Sequence, residues 1–127
     1  MSSFRIPKAF MIFGQRIEVQ WSRTLVDDSD CVGVFKPRKN VIILQAGDGE
    51  EVARPVSQVE QTFCHELVHS IFNFLGETEL DGNEKLVELI GQALHQAFST
   101  MTYEEEYNEN MSHDEKVALG YRVRRFN

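Results

Sequence analysis

Two histidines and a glutamate stand together near the middle of the chain, in the segment His65-Glu66-Leu67-Val68-His69. On a helix, residues four apart lie on the same face, so His65 and His69 would point in one direction. Two imidazoles placed in this way can ligate one Zn²⁺ ion. Glu66 can reach the open side of the metal without ligating it, and can act as general base on a zinc-bound water. The spacing predicts a hydrolytic zinc site.

The neighbouring residues favour a metal site over two ordinary histidines on a half-buried helix. Phe63, Leu67, Val68 and Ser70 carry no charge and belong to an apolar helical run. Such neighbours keep the site dry and keep rival charges away from the metal.

Two glutamates further along the chain are candidates for a third ligand, because a catalytic zinc usually has three protein ligands and one open position. Fourteen residues separate Glu84 from His69, and eighteen separate Glu88 from it. Both would face the first helix if the two helices packed antiparallel. Each also has a plainer interpretation: Glu84 could close a capping box with Asp81 as N-cap, and Glu88 could be an exposed helical carboxylate.

Two main helices are predicted to position these side chains. The first should run from about Gln58 to Leu75, with Ser57 and Glu60 forming a capping box and Gly76 ending the helix. The second should begin near 81–84 and reach Thr100. Its apolar stripe is predicted to be Leu86, Leu89 or Ile90, Ala93 and Ala97, while Glu84, Glu88 and His95 fall on a separate stripe.

Strand patterns precede the helices. An apolar run over 9–13 leads to a turn at 14–16, and Ile17–Trp21 then alternates apolar and polar residues. Cys31–Phe35 and Val41–Gln45 flank a turn that contains Pro37 and Asn40, which predicts a hairpin. The expected fold is α+β, a single domain over residues 1–127 with a small antiparallel sheet of about three strands packed on two main helices.

Bulk properties exclude several classes of function. The chain has 127 residues and a net charge of −7, which argues against nucleic acid as a partner. No signal peptide and no membrane-spanning segment is recognisable, and two cysteines do not indicate a disulfide framework. The expected location is therefore the cytoplasm, with a protein or peptide as the partner. The oligomeric state is left open.

The segment His65–His69, followed by Asn83-Glu84-Lys85-Leu86-Val87-Glu88, resembles the gluzincin group of zinc metallopeptidases. Over about residues 30–100 it is most similar to small phage- and prophage-encoded metallopeptidase-like proteins related to the ImmA/IrrE type. The resemblance implies a minimal zincin-like fold with an edge strand, either Val41–Gln45 or Cys31–Phe35, above the cleft. It also implies that Glu84 is the third ligand and that Glu88 hydrogen-bonds a zinc-bound histidine.

The function expected from these residues is zinc-dependent hydrolysis of a peptide bond with Glu66 as general base. An additional donor should stabilise the oxyanion, and the candidates are His95, Tyr103, Tyr107, His113 and Tyr121. The alternative is a zinc-containing interaction or regulatory module with weak or no catalysis. A closed site with a fourth protein ligand, such as His95 or Cys64, would favour that alternative.

Overall fold

The computed structural model describes residues 4–26, 31–47, 53–103, 110–118 and 120, and it confirms an α+β fold. Four strands form one sheet: β1 (Ala9–Ile12), β2 (Gln15–Trp21), β3 (Gly33–Lys36) and β4 (Val41–Leu44). Helices then follow: α1 (Val56–Leu75), the short α2 (Thr78–Asp81), α3 (Glu84–Thr100) and the short α4 (His113–Ala118).

The sheet has the order β1-β2-β4-β3 and is mixed, which corrects the expectation of about three antiparallel strands. The hairpins β1–β2 and β3–β4 are antiparallel, but β2 pairs with β4 in parallel. After β2 the chain passes to the outer edge to form β3, and β4 then returns between them. As a result β3 lies at an edge of the sheet and β4 does not. Of the two segments named as candidates for the edge strand, Cys31–Phe35 is therefore the one that contains it.

The additional strand β1 comes from the apolar run that precedes Gly14. Phe13 and Gly14 both have positive φ, of 47° and 76°, and form a two-residue loop between Ile12 and Gln15. Tight hairpins of this kind need positive φ at both loop residues, a conformation that glycine adopts without strain. The loop therefore lies one residue earlier than the predicted turn, and β2 starts at Gln15.

The core lies between the sheet and α1. Ile17 and Val19 of β2 and Ile42 and Leu44 of β4 are buried against Phe63 and Cys64 of α1. Burying a large aliphatic side chain of this type contributes about 1.5–3 kcal/mol to stability. The face of α1 that carries Phe63 and Cys64 is thus fixed against the sheet.

The start of α1 differs from the predicted capping box. Pro55 occupies the N-cap position without a side-chain cap, so the helix begins at Val56 rather than after Ser57. Glu60 is buried and its Oε1 lies 2.8 Å from His95 Nε2, so it cannot cap the helix end. The predicted end is confirmed, since Gly76 has a left-handed φ of 71°.

The face that α3 presents to α1 is not the predicted apolar stripe. Val87 and Gly91 are its buried residues, whereas Leu89 is 54% exposed. A Cβ added at Gly91 would lie 3.1 Å from the Cα and the N of His65, so glycine allows the two helices to approach closely there. The stripe of α3 that carries Glu84, Glu88 and His95 consequently faces α1.

No helix among the described ranges is long and apolar enough to cross a membrane.

Candidate functional site

The two histidines of the His-Glu-x-x-His segment point their Nε2 atoms at one carboxylate. His65 and His69 lie one turn apart on α1, and their ring centroids are 4.9 Å apart. Glu84, the first residue of α3, places Oε2 3.1 Å from His65 Nε2 and Oε1 3.1 Å from His69 Nε2. The three groups offer donor atoms that all lie within 4.8 Å of one another.

Each histidine also has a second carboxylate at its other ring nitrogen, Nδ1. Glu88 Oε2 lies 2.7 Å from His65 Nδ1, and Asp81 Oδ1 lies 2.8 Å from His69 Nδ1. A carboxylate in this position fixes the tautomer and the orientation of a ligating imidazole and raises its basicity. Glu88 thus contacts His65 at the ring nitrogen opposite the one that faces Glu84.

Asp81 is the site residue that the sequence interpretation missed. It was considered only as a helix cap, but Asn83 performs that role, because its Oδ1 accepts a hydrogen bond from the Leu86 N–H at 3.1 Å. The short helix α2 turns Asp81 back toward α1 instead. The sequence does contain an indication of this contact: Asp81 follows His69 by only 12 residues, so a short turn between two helices can bring the two side chains together.

The contacts leave both imidazoles with a carboxylate at each ring nitrogen. A neutral imidazole has only one N–H to donate, and if Nδ1 donates to Glu88 or Asp81, Nε2 carries a lone pair. Such a lone pair would face the oxygens of Glu84 at 3.1 Å in both histidines. A cation bound between the two Nε2 atoms and Glu84 would replace this repulsion by ligation.

The donor set fits zinc. Two imidazole nitrogens and one carboxylate oxygen, with a fourth position open, are the ligands of one common class of catalytic zinc site. Ligands about 2.0–2.1 Å from a tetrahedral ion lie roughly 3.3 Å from one another. Each oxygen of Glu84 lies 3.1 Å from the Nε2 atom of a different histidine, and one donor atom from each of the three residues lies within 4.8 Å of the other two.

Glu66 lies next to these donors and is almost fully buried, with 5% of its surface exposed. Burial raises the pKa of Glu66; His69 and His65 oppose the rise, while Glu84 and Asp81 add to it. A carboxyl whose pKa is moved toward neutrality is a more effective proton acceptor and donor near pH 7. A bound divalent cation would act in the opposite direction.

A cleft runs past the candidate ligands on both sides. A larger cavity of about 590 Å³ is lined by Gly33, Thr62, Glu84 and Glu88, and a smaller one of about 210 Å³ by Val34, Phe35, Pro37, Asn73 and Asp81. Glu66 and His69 line both cavities. The edge strand β3 forms one wall, so an edge that has no partner strand among the described residues lies beside the candidate ligands.

Gly33 sets the distance between that wall and α1. A Cβ added to Gly33 would lie 2.5 Å from Thr62 Cγ2 and 3.3 Å from Glu66 Cγ. Only glycine lets the start of β3 lie this close to the turn of α1 that carries the candidate base.

Three of the expected oxyanion donors lie in the described part of the chain, and none of the three contacts the candidate ligands. His95 pairs with Glu60, Tyr103 is 77% exposed, and His113 lies on the exposed helix α4. Tyr107 and Tyr121 lie outside the described residues. A fourth ligand is likewise absent from the described part of the chain, since Cys64 is buried in the core and His95 is paired elsewhere.

No family model, curated protein or solved structure matches this chain.

Proposed function

We propose that the protein is a zinc-dependent peptide-bond hydrolase of the gluzincin type, with His65, His69 and Glu84 as ligands and Glu66 as general base. The observation that supports this most directly is the convergence of two Nε2 atoms on one carboxylate while Glu88 and Asp81 hold the opposite nitrogens. This arrangement presents lone pairs to a shared cation.

Zinc, when bound, would supply Lewis acidity: it lowers the pKa of a water and polarises a carbonyl oxygen. The residues of the chain supply the remaining functions. Glu66 accepts the proton of the attacking water and returns it to the departing amine nitrogen. Its burial keeps that proton away from bulk water, and Glu88 and Asp81 keep the imidazoles aligned through the reaction.

The edge strand supports a peptide as the substrate. Main-chain groups on the outer side of β3 have no partner strand within the described residues, and an extended peptide can add to such an edge. A peptide held there would run past Glu66 and His69, which line the cleft on both sides of the ligands.

Metal content of purified protein tests the site. We expect about one zinc per chain in the parent and in Glu66→Gln, and loss of bound zinc in Glu84→Ala. Glu88→Ala and Asp81→Ala should keep zinc with an affinity about 10–100-fold lower, because they remove hydrogen-bonding partners rather than ligands. Glu79→Ala, an exposed carboxylate on α2, is the matched control and should bind zinc as the parent does.

Peptide hydrolysis tests the activity. The zinc-loaded parent should cleave peptides, and Glu66→Gln should bind the metal without cleaving. A parent that binds zinc but cleaves no peptide would support the zinc-containing interaction module instead. A parent that cannot be loaded with zinc would refute the metal centre itself.

A further inference from the structure

The larger cavity is lined in part by a positively charged side chain, Arg54, that the hydrolytic mechanism does not use. Arg54 is the one lysine or arginine among the described residues that line it, and Gln58 and Gln61 lie beside it. The three described glutamates that line this cavity are the candidate ligand Glu84, the His65 partner Glu88 and the candidate base Glu66. Arg54 therefore makes one end of the cleft cationic and rich in hydrogen-bond donors.

The guanidinium of Arg54 is held in place without being neutralised by any described residue. Nη1 donates to the Gln45 carbonyl at 3.0 Å, and Nη2 donates to Thr62 Oγ1 at 2.8 Å and to the Gln58 carbonyl at 3.4 Å. All three acceptors are uncharged, and a guanidinium has five N–H donors, so two have no acceptor among the residues that the structure describes. Burial lowers the pKa of Arg54, yet an arginine stays protonated in proteins, so the charge persists in the cleft.

The position of Arg54 relative to the base follows from the helix. Thr62, which accepts its hydrogen bond, precedes Glu66 by one turn, or about 6 Å along α1. An extended peptide advances about 3.3 Å per residue. A group bound by Arg54 would therefore belong to a residue one or two positions from the bond that Glu66 serves.

The opposite end of the cleft has different chemistry. Val34, Phe35 and Pro37 line the smaller cavity on the other side of Glu66 and His69. A peptide lying along β3 would thus meet an apolar wall on one side of the reacting bond and a fixed cation on the other.

We propose that Arg54 is a specificity-determining residue that binds a carboxylate of the substrate, one or two residues from the scissile bond. This inference rests on the proposed hydrolase function. The carboxylate has two possible sources, an Asp or Glu side chain and the C-terminus of the peptide. Both present a charged oxygen that can accept a hydrogen bond from Nε–H or from the second N–H of Nη1.

A set of end-labelled hexapeptides tests the proposal. Each peptide consists of Ala, Leu and Phe with a single Glu or Gln at a varied position, and each is made with a C-terminal acid and with an amide. For the zinc-loaded parent we expect kcat/KM to be about tenfold to a hundredfold higher for the peptide with the correctly placed carboxylate. The Glu/Gln pairs report a side-chain carboxylate, and the acid/amide pairs report the C-terminus.

Substitutions at Arg54 separate recognition from support of the fold. In Arg54→Gln the preference should fall to about one, because kcat/KM falls further for the peptides with the carboxylate than for the neutral peptides. In Arg54→Glu the preference should shift to peptides with Lys at the same position. A purely structural role would lower cleavage of charged and neutral peptides together, and that result would overturn the proposal.

Binding to the inactive Glu66→Gln protein, followed by fluorescence anisotropy, keeps the two proposals distinguishable. Cleavage by the parent with no carboxylate preference refutes the role of Arg54 and leaves the hydrolase intact. A carboxylate preference in binding that Arg54→Gln abolishes, in a protein whose parent form cleaves nothing, supports the role of Arg54 and refutes the hydrolase. Absence of both binding and cleavage refutes both.

Discussion

Replacing Gly91 with alanine tests whether the close approach of α1 and α3 determines the metal site. The new Cβ would lie 3.1 Å from the Cα and the N of His65 and 3.4 Å from the carbonyl carbon of Cys64. Relaxed carbon contacts are about 3.5–4.0 Å, so α3 must move away from α1 by roughly half an ångström. Ligand distances in metal sites tolerate only about 0.2 Å, and Glu84 reaches His65 from α3. We expect zinc affinity to fall about tenfold.

The stability of metal-free Gly91→Ala reflects two opposing effects. Overpacking costs about 1–3 kcal/mol, while replacing a helical glycine with alanine contributes about 1 kcal/mol of helix propensity. The expected net loss in free energy of unfolding is about 0–2 kcal/mol, measured by urea titration. The larger Gly91→Val should lower both stability and zinc affinity further.

Zinc affinity is measured by competition with a chromophoric chelator, for the parent, Gly91→Ala and Gly91→Val. A loss that increases with side-chain size supports the geometric argument. Gly82→Ala is the control, because its Cβ would reach only 3.4 Å from the Thr78 carbonyl oxygen, an ordinary contact that does not force α3 away from α1. If Gly91→Val bound zinc as tightly as the parent, the spacing of the two helices would not control the site.

Three further predictions concern the cysteines, the Glu60–His95 pair and the edge strand. Cys64 has no exposed surface, and burial raises its pKa to about 12. A thiol reagent at pH 8 should therefore modify the partly exposed Cys31 and leave Cys64 unmodified. In denaturant both thiols should react. His95→Ala should lower the free energy of unfolding by about 3–5 kcal/mol in urea titrations, because it leaves Glu60 buried without its partner. Gly33→Ala should displace the start of β3, cost about 1–3 kcal/mol, and reduce peptide cleavage more than zinc binding.

Each of these has an outcome that would contradict it. Rapid modification of both thiols in the native protein would mean that the core opens readily. A double variant, Glu60→Gln with His95→Ala, should recover part of the lost stability, and failure to do so would show that the charge is not the cause. Gly14→Ala is the matched control for stability: its added Cβ meets no atom within 4 Å, but the positive φ of 76° makes alanine strained there, so stability should fall while the folded protein still cleaves. An equal loss of cleavage in Gly14→Ala and Gly33→Ala would show that stability alone is the cause.

The site was predictable where its geometry is local. The helical period places His65 and His69 on one face of α1, and the distances along the chain to Glu84 and Glu88 suit a second antiparallel helix. Asp81 was missed because its contact depends on how α2 turns back toward α1, and no periodicity records that turn.

The face of α3 was predicted incorrectly for a physical reason. The helix α3 has a second set of apolar residues at helical spacing, and that set is the one that packs: Val87 and Gly91 are buried, and Phe98 packs against the core. It lies on the same side of the helix as Glu84, Glu88 and His95, so packing and the polar contacts of these residues with α1 favour the same orientation. Leu89 is left half-exposed as a result.

The sheet was predictable only in part, because strand pairing is not local. The hairpin β3–β4 follows from a turn signal, whereas the parallel pairing of β2 with β4 joins segments that are far apart along the chain. The strand β1 was visible as an apolar run, but nothing in that run specified its partner.

The candidate metal ligands and the carboxylates that contact them all come from one stretch, from His65 to Glu88, that folds back on itself through Gly76 and α2. Closing a loop of this length costs little conformational entropy, and contacts so near in sequence form early in folding. The cleft wall at β3 comes from about 30 residues earlier in the chain, across the slower long-range pairing of the sheet. We therefore expect the helical reversal to acquire its metal geometry before the substrate wall is complete. Replacing the sequence of β3 would then change which peptides the cleft binds and would leave the candidate metal-binding residues unchanged.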